Sequence, residues 1–189
     1  MVENGLIRLD GDGTSLLIDA RGPGVPIVRH WGAPLPAGID LAGLSDSQCR
    51  PVPNNALDED VPPSLLPETG FGAFGQPGLS GSRADGTGWA TAFCLIATDR
   101  TENGVTFRLE EPAARLALSL SLEIDAATGV LASRASVSNS GDDSYRLDWC
   151  AAAVLPLPAI CGEGLAFDGQ WNREFHERRL ALGPVSYTH

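Results

Sequence analysis

Hydrophobic and polar positions alternate with a period of two along much of this chain. Leu116, Leu118, Leu120, Leu122 and Ile124 fall on one face of an extended segment, and Ala117, Ser119, Ser121 and Glu123 on the other. The pattern predicts a strand from Ala114 to Ile124 with one buried face. Similar apolar runs predict strands at Leu6–Leu9, Leu16–Asp19, Val25–Gly32, Trp89–Asp99, Val105–Glu110, Val130–Ser138, Tyr145–Val154 and Leu165–Trp171. Asn172 to Leu182 fits either a short helix or a further strand. Turn signals separate the strands, as in Asp125-Ala-Ala-Thr-Gly129 and Asn139-Ser-Gly-Asp-Asp-Ser144. Short strands at such spacing predict an all-β fold, an antiparallel β-sandwich with little helix.

The first two strands flank Asp10-Gly11-Asp12-Gly13, which predicts a hairpin turn. Calcium is a poorer reading, because an EF-hand loop needs a third ligand at its fifth position and a Glu at its twelfth. From residue 33 to 83 the apolar periodicity disappears, and Pro, Gly, Ser, Asp and Asn dominate. This is a long Pro/Gly-rich loop excursion within a single domain of residues 1–189. Leu65 to Pro77 is its most ordered-looking part. Phe71 and Phe74 are costly to leave in water there, so this part should pack against something.

Composition narrows the partners. The chain carries 22 glycines and 14 prolines in 189 residues, well above average usage, which suits many tight turns. Its net charge of −11 disfavours nucleic acid and anionic membranes. Arg173, Arg178 and Arg179 are interleaved with Glu174 and Glu177, as on a mixed, solvated face. No apolar run approaches the 18 or so residues of a membrane span. The N-terminal Met-Val-Glu-Asn-Gly starts no signal-peptide pattern, so a cytoplasmic protein is expected. Cys49, Cys94, Cys150 and Cys161 show no Cys-x-x-Cys spacing; buried free thiols are expected, and no metal or cofactor.

No catalytic constellation stands out. Glu110, Glu111, Asp142, Asp143, Asp148, Glu163, Asp168 and Glu174 include no pair marked by context as an acid and its partner. There is no Gly-x-Ser-x-Gly elbow, and His30 and His176 have no partner that spacing identifies. Trp31 and Trp171 lie beside turns, where an indole can stack on a sugar ring; Trp89 and Trp149 should be core.

Several motifs occur in a familiar order. They are His30-Trp31-Gly32, the loop Gly70-Phe71-Gly72-Ala73-Phe74-Gly75-Gln76-Pro77, the Leu131-to-Asn139 strand and turn, Phe167-Asp168-Gly169-Gln170-Trp171-Asn172-Arg173-Glu174 and Leu182-Gly183-Pro184-Val185-Ser186. Together they resemble the N-terminal β-supersandwich region of the family 36 α-galactosidases. The resemblance implies an incomplete version of that supersandwich, followed in the same protein by a (β/α)₈ catalytic barrel. It implies a retaining, metal-free hydrolysis of α-galactosides such as melibiose and raffinose. Both catalytic aspartates of the family belong to the barrel, so none is assigned here, and the chain alone is expected to be inactive. In tetrameric relatives a loop patterned Gly-x-Gly-Asp-aromatic-Arg extends towards a neighbouring subunit's active site, which implies a homo-oligomer. Here the carboxylate position is Ala73 and the arginine position Gly75, with Gln76 the nearby polar replacement. The substrate-binding candidates are therefore Trp31, Phe71, Phe74, Gln76 and Trp171. The alternatives are a free-standing carbohydrate-binding β-sandwich and a structural or interaction domain.

Overall fold

The computed structural model describes residues 5–49, 61–73, 75–158 and 160–182. It is all-β and antiparallel, as the alternation predicts, and it divides into two compact units, residues 1–156 and 157–189.

The first unit holds a three-stranded sheet in the order β1 (Leu6–Gly11), β2 (Thr14–Asp19), β3 (Ile27–Gly32). A four-stranded sheet runs β5 (Cys94–Arg100), β6 (Gly104–Glu111), β7 (Leu116–Ile124), β8 (Leu131–Asn139). A two-stranded sheet pairs β4 (Leu79–Arg83) with β9 (Tyr145–Cys150). Between β6 and β7 the register sets Val105 opposite Leu122, Phe107 opposite Leu120 and Leu109 opposite Leu118. Residues directly opposite share a face, so two alternating sequences deliver one continuous apolar surface. That surface joins Ile7, Leu9, Leu16, Ile18 and Val28 of the first sheet in one core. The turn of the β1–β2 hairpin meets the β7–β8 turn, where Asp12 N–H donates to the Ala126 carbonyl at 3.1 Å. A Cβ on Gly11 would come within 2.7 Å of Gly129 Cα, so Gly is required there. The Asp10 carboxylate is engaged by Arg8 and Ser15.

Strand β2 is buried on both faces from Ser15 to Asp19. Residues 33–49 approach its second face. Leu35 N–H donates to Ser15 Oγ at 2.9 Å, and the Ser45 hydroxyl donates to Asp19 at 2.7 Å. Ser45 belongs to α1 (Leu41–Ser47), whose N-cap Asp40 accepts the Gly43 N–H at 3.0 Å. The stretch 33–83 thus carries a helix, a short 3₁₀ turn at Thr69–Phe71, the fully buried Leu65 and Leu66, and strand β4.

Strand β4 is recruited by its partners. Arg83 at its end is only 6% exposed. Its guanidinium donates to the Asp143 carbonyl at 2.9 Å and to Asn139 Oδ1 at 3.0 Å, and it lies 5.8 Å from the Tyr145 ring centroid. One cation so ties the β8–β9 turn to a segment whose own strand propensity is low.

The described residues of the second unit form a hairpin, β10 (Glu163–Gln170) with β11 (Arg173–Ala181). The 172–182 segment is therefore a strand and not a helix.

Three expectations are corrected. Trp89 and Trp149 are 60% and 49% exposed, not core. Trp89 precedes β5, which begins only at Cys94, and Trp149 sits on the two-stranded β4–β9 ladder, which covers less than a sandwich interior does. The cysteines are not buried thiols: Cys49, Cys94 and Cys161 are exposed and Cys150 is half-buried. Thiols on strand ends and connections gain no burial from the sheet alternation.

Candidate functional site

Two places bring candidate side chains to the surface. The first is the segment from Val61 to Gly78. Glu68 is its anchor. The Glu68 carboxylate accepts the Phe93 N–H at 2.8 Å, and the Glu68 carbonyl accepts the N–H groups of Phe71 at 3.2 Å and Ala73 at 3.1 Å. Gly70 N–H donates to the Thr91 carbonyl at 3.1 Å, and Gly78 N–H to the Pro67 carbonyl at 2.7 Å. A Cβ on Gly70 would run into that Thr91 carbonyl oxygen, so the first glycine of the motif is a close-packing glycine.

Glu68 is only 3% exposed. Burial pushes its carboxyl up to about 7; the Phe93 N–H and Thr91 hydroxyl act in the opposite sense, and the nearby Glu111 carboxylate adds to the rise. Held this way, the loop presents Phe71, 56% exposed, with its ring edge over Gly24. Gln76 follows on the same loop and is exposed. Phe74 lies outside the described residues.

The remaining candidates sit elsewhere. Trp31 on β3 is half-buried, packs against the core and lies opposite Leu16. Trp171 belongs to the second unit, at the tip of the β10–β11 hairpin, and is 93% exposed. Phe71 and Gln76 thus share one loop, and Trp31 and Trp171 lie elsewhere. On the same hairpin an open cleft of about 380 Å³ is lined by Asp168, Gly169, Gln170, Arg173 and His176, a group that sequence spacing did not single out and that does not include Trp171.

The other strongly perturbed carboxylate is structural. Burial would raise Asp19, but hydrogen bonds from the Arg21 side chain, the Ser45 hydroxyl and the Arg21 N–H hold it well below the usual range. Arg21 and Arg29 sit 2.8 Å and 3.3 Å from it.

Comparison with known proteins agrees with this architecture. Residues 24–188 match the glycosyl hydrolase family 36 N-terminal domain. An α-galactosidase of Escherichia coli is 32% identical over 177 residues, which cover 93% of this chain and 24% of that protein. The crystal structure of the α-galactosidase from Lactobacillus brevis superposes with a TM-score of 0.74 at 20% identity, covering 97% of this chain and 28% of that one. The family 36 α-galactosidase AgaA from Geobacillus stearothermophilus superposes with a TM-score of 0.72 at 15% identity, covering 94% and 28%. The chain spans about a quarter of the length of these relatives. It belongs to the glycosyl hydrolase family 36 N-terminal domain family.

Proposed function

We propose that this chain serves as the non-catalytic N-terminal β-domain of a retaining α-galactosidase acting on α-galactosides such as melibiose and raffinose. The match of residues 24–188 to the family's N-terminal domain carries the reading. The relatives named above are α-galactosidases, and a variant of the Geobacillus enzyme has been solved with raffinose. The partner is a (β/α)₈ barrel of the same protein, which supplies the catalytic aspartates, within a homo-oligomer. The two carboxylates with large shifts support a structural role, since Asp19 and Glu68 are both buried against their own hydrogen-bond partners. Accessible, unpaired thiols suit a reducing compartment, so we place the enzyme in the cytoplasm.

The test is hydrolysis of nitrophenyl α-galactoside by the 189-residue chain alone. No release of nitrophenol is expected. Turnover that survives contamination controls, and disappears when a carboxylate of this chain is replaced, overturns the reading.

A further inference from the structure

Glu68 is a buried carboxylic acid set among neutral groups and one other acid. Its charged neighbour is the carboxylate of Glu111 at the end of β6, itself only 6% exposed and accepting the Ala114 N–H. Glu110 beside it is exposed on the opposite side of the strand. The other segments packed around the loop bring no cation. Residues 22–25, 88–93 and 151–155 contain no charged side chain, and within 65–73 Glu68 is the single charged residue. Arg29 on β3 is committed to Asp19, and Arg83 at the end of β4 to oxygens of Ala114, Asp143 and Asn139. The Tyr145 hydroxyl donates to the Gly88 carbonyl at 3.0 Å.

This setting suits the neutral acid. The protonated group accepts the Phe93 N–H on one oxygen, and its O–H finds the Thr91 hydroxyl, which accepts as readily as it donates. Both oxygens are then bonded and no charge is buried. Loss of the proton places a second negative charge beside Glu111, away from water and without a counter-ion, which is costly.

The loop that carries Glu68 can relieve that cost by moving. Its ties to the first unit converge on one short segment: the Glu68 carboxyl on Phe93 N–H and Thr91, and Gly70 N–H on the Thr91 carbonyl at 3.1 Å. Phe71 rests its ring edge on Gly24 but is 56% exposed, so little apolar burial resists its withdrawal. Gly72 and Gly75 have φ of 78° and 114°, and glycine lets the backbone leave such angles freely. The Glu68 carbonyl also accepts the N–H groups of Phe71 and Ala73, so residues 68–73 form one turn that can move as a piece.

We infer that Glu68 is a proton-operated latch, which docks the 68–73 loop on Thr91 and Phe93 when protonated and releases it towards water when ionised, withdrawing Phe71 from Gly24. The direction follows from linkage. Docking raises the Glu68 carboxyl from 4.5 to about 7, so docking is strongest below 4.5 and weakens as pH rises through about 7. Between pH 5 and pH 8 the docking equilibrium constant should fall about 100-fold.

The experiment is amide hydrogen exchange of the 189-residue chain across pH 5 to 8, with rates corrected for the intrinsic pH dependence of exchange. Protection of the Gly70, Phe71, Ala73 and Phe93 amides should fall about 100-fold over that range. Low urea separates a local opening from unfolding. It should leave the exchange of these four amides unchanged while it speeds that of the Leu118 and Leu120 amides in the core sheet. Glu68→Gln keeps an acceptor for Phe93 N–H and a donor for Thr91, and its loop protection should be flat with pH. Loop protection that is flat in the parent, or that falls equally in Glu68→Gln, overturns the latch. So does loop exchange that rises with urea as steeply as that of Leu118 and Leu120. The parent's pH and urea series decides the matter even where the variant folds poorly.

Discussion

The Glu68 carboxylate accepts the backbone N–H of Phe93 at 2.8 Å, joining residues 25 apart in the chain. Phe93 itself is fully buried in the core. A single side chain therefore ties the Phe71 loop to the interior of the first unit, and it does so with a group that titrates near neutrality.

The pH dependence follows from that position. The Glu68 carboxyl is raised from 4.5 to about 7 in the folded chain. Its contribution to stability is fully present below 4.5 and is lost as pH rises through about 7. The loss amounts to about 3 kcal/mol. Glu68→Gln keeps an acceptor for Phe93 N–H and removes the titration. Urea denaturation near pH 4.5 and near pH 8 should show the parent losing about 3 kcal/mol relative to Glu68→Gln. Parallel losses in both proteins would remove Glu68 as the cause.

Asp19 behaves in the opposite sense. Its folded-state value lies below 3.8, so its contribution is present above 3.8 and disappears as pH falls through the depressed value. Asp19→Asn leaves Arg29, whose side chain is only 10% exposed, without its carboxylate. A loss of about 3 kcal/mol near neutral pH is expected from denaturant midpoints, shrinking in strong acid. The ties of Asp19 to Ser45 and of Arg21 to Asp46 also predict faster amide exchange in α1 of the variant.

Gly70→Ala should separate the Phe71 loop from its support, because the new methyl meets the Thr91 carbonyl oxygen. Overpacking of this kind costs about 1–3 kcal/mol. Limited proteolysis should reveal new cleavage between residues 68 and 78, with the rest of the chain protected. An unchanged digestion pattern would show that the loop tolerates the displacement.

The thiols give a direct check on burial. Cys49, Cys94 and Cys161 are exposed and should react rapidly with an aromatic disulfide reagent. Burial pushes the Cys150 thiol up, so its reaction should be the slow phase, and Cys150→Ser should abolish that phase. Four equal rates would contradict the placement of Cys150 against the core.

The hairpin shows how far sequence reading carries at the candidate site. Trp171 stood out because it borders a turn, where an indole has little to cover it. The cluster of Asp168, Gln170, Arg173 and His176 did not, since spacings of two and three place these residues on different faces until the strands are paired. The β-bulge between Asp168 and Gln170 is a property of the pairing and leaves no local mark except the unremarkable Gly169.

The sequence by itself determined the all-β class and the buried face of its most regular strand. Strict alternation such as Leu116 to Ile124 obliges one face to be apolar, because successive side chains of a strand point to opposite sides. Short apolar runs bounded by turn residues located β1, β2 and β6 within a residue or two. Only the tertiary structure decided the rest. Leu79–Arg83 becomes a strand through its ladder with β9 and the contacts of Arg83, although Gly and Ser make it a poor strand on its own. Trp89 and Trp149 are open because cover depends on which sheet lies opposite, a non-local fact. A side chain's face follows from local geometry. What that face meets depends on partners far away in the chain.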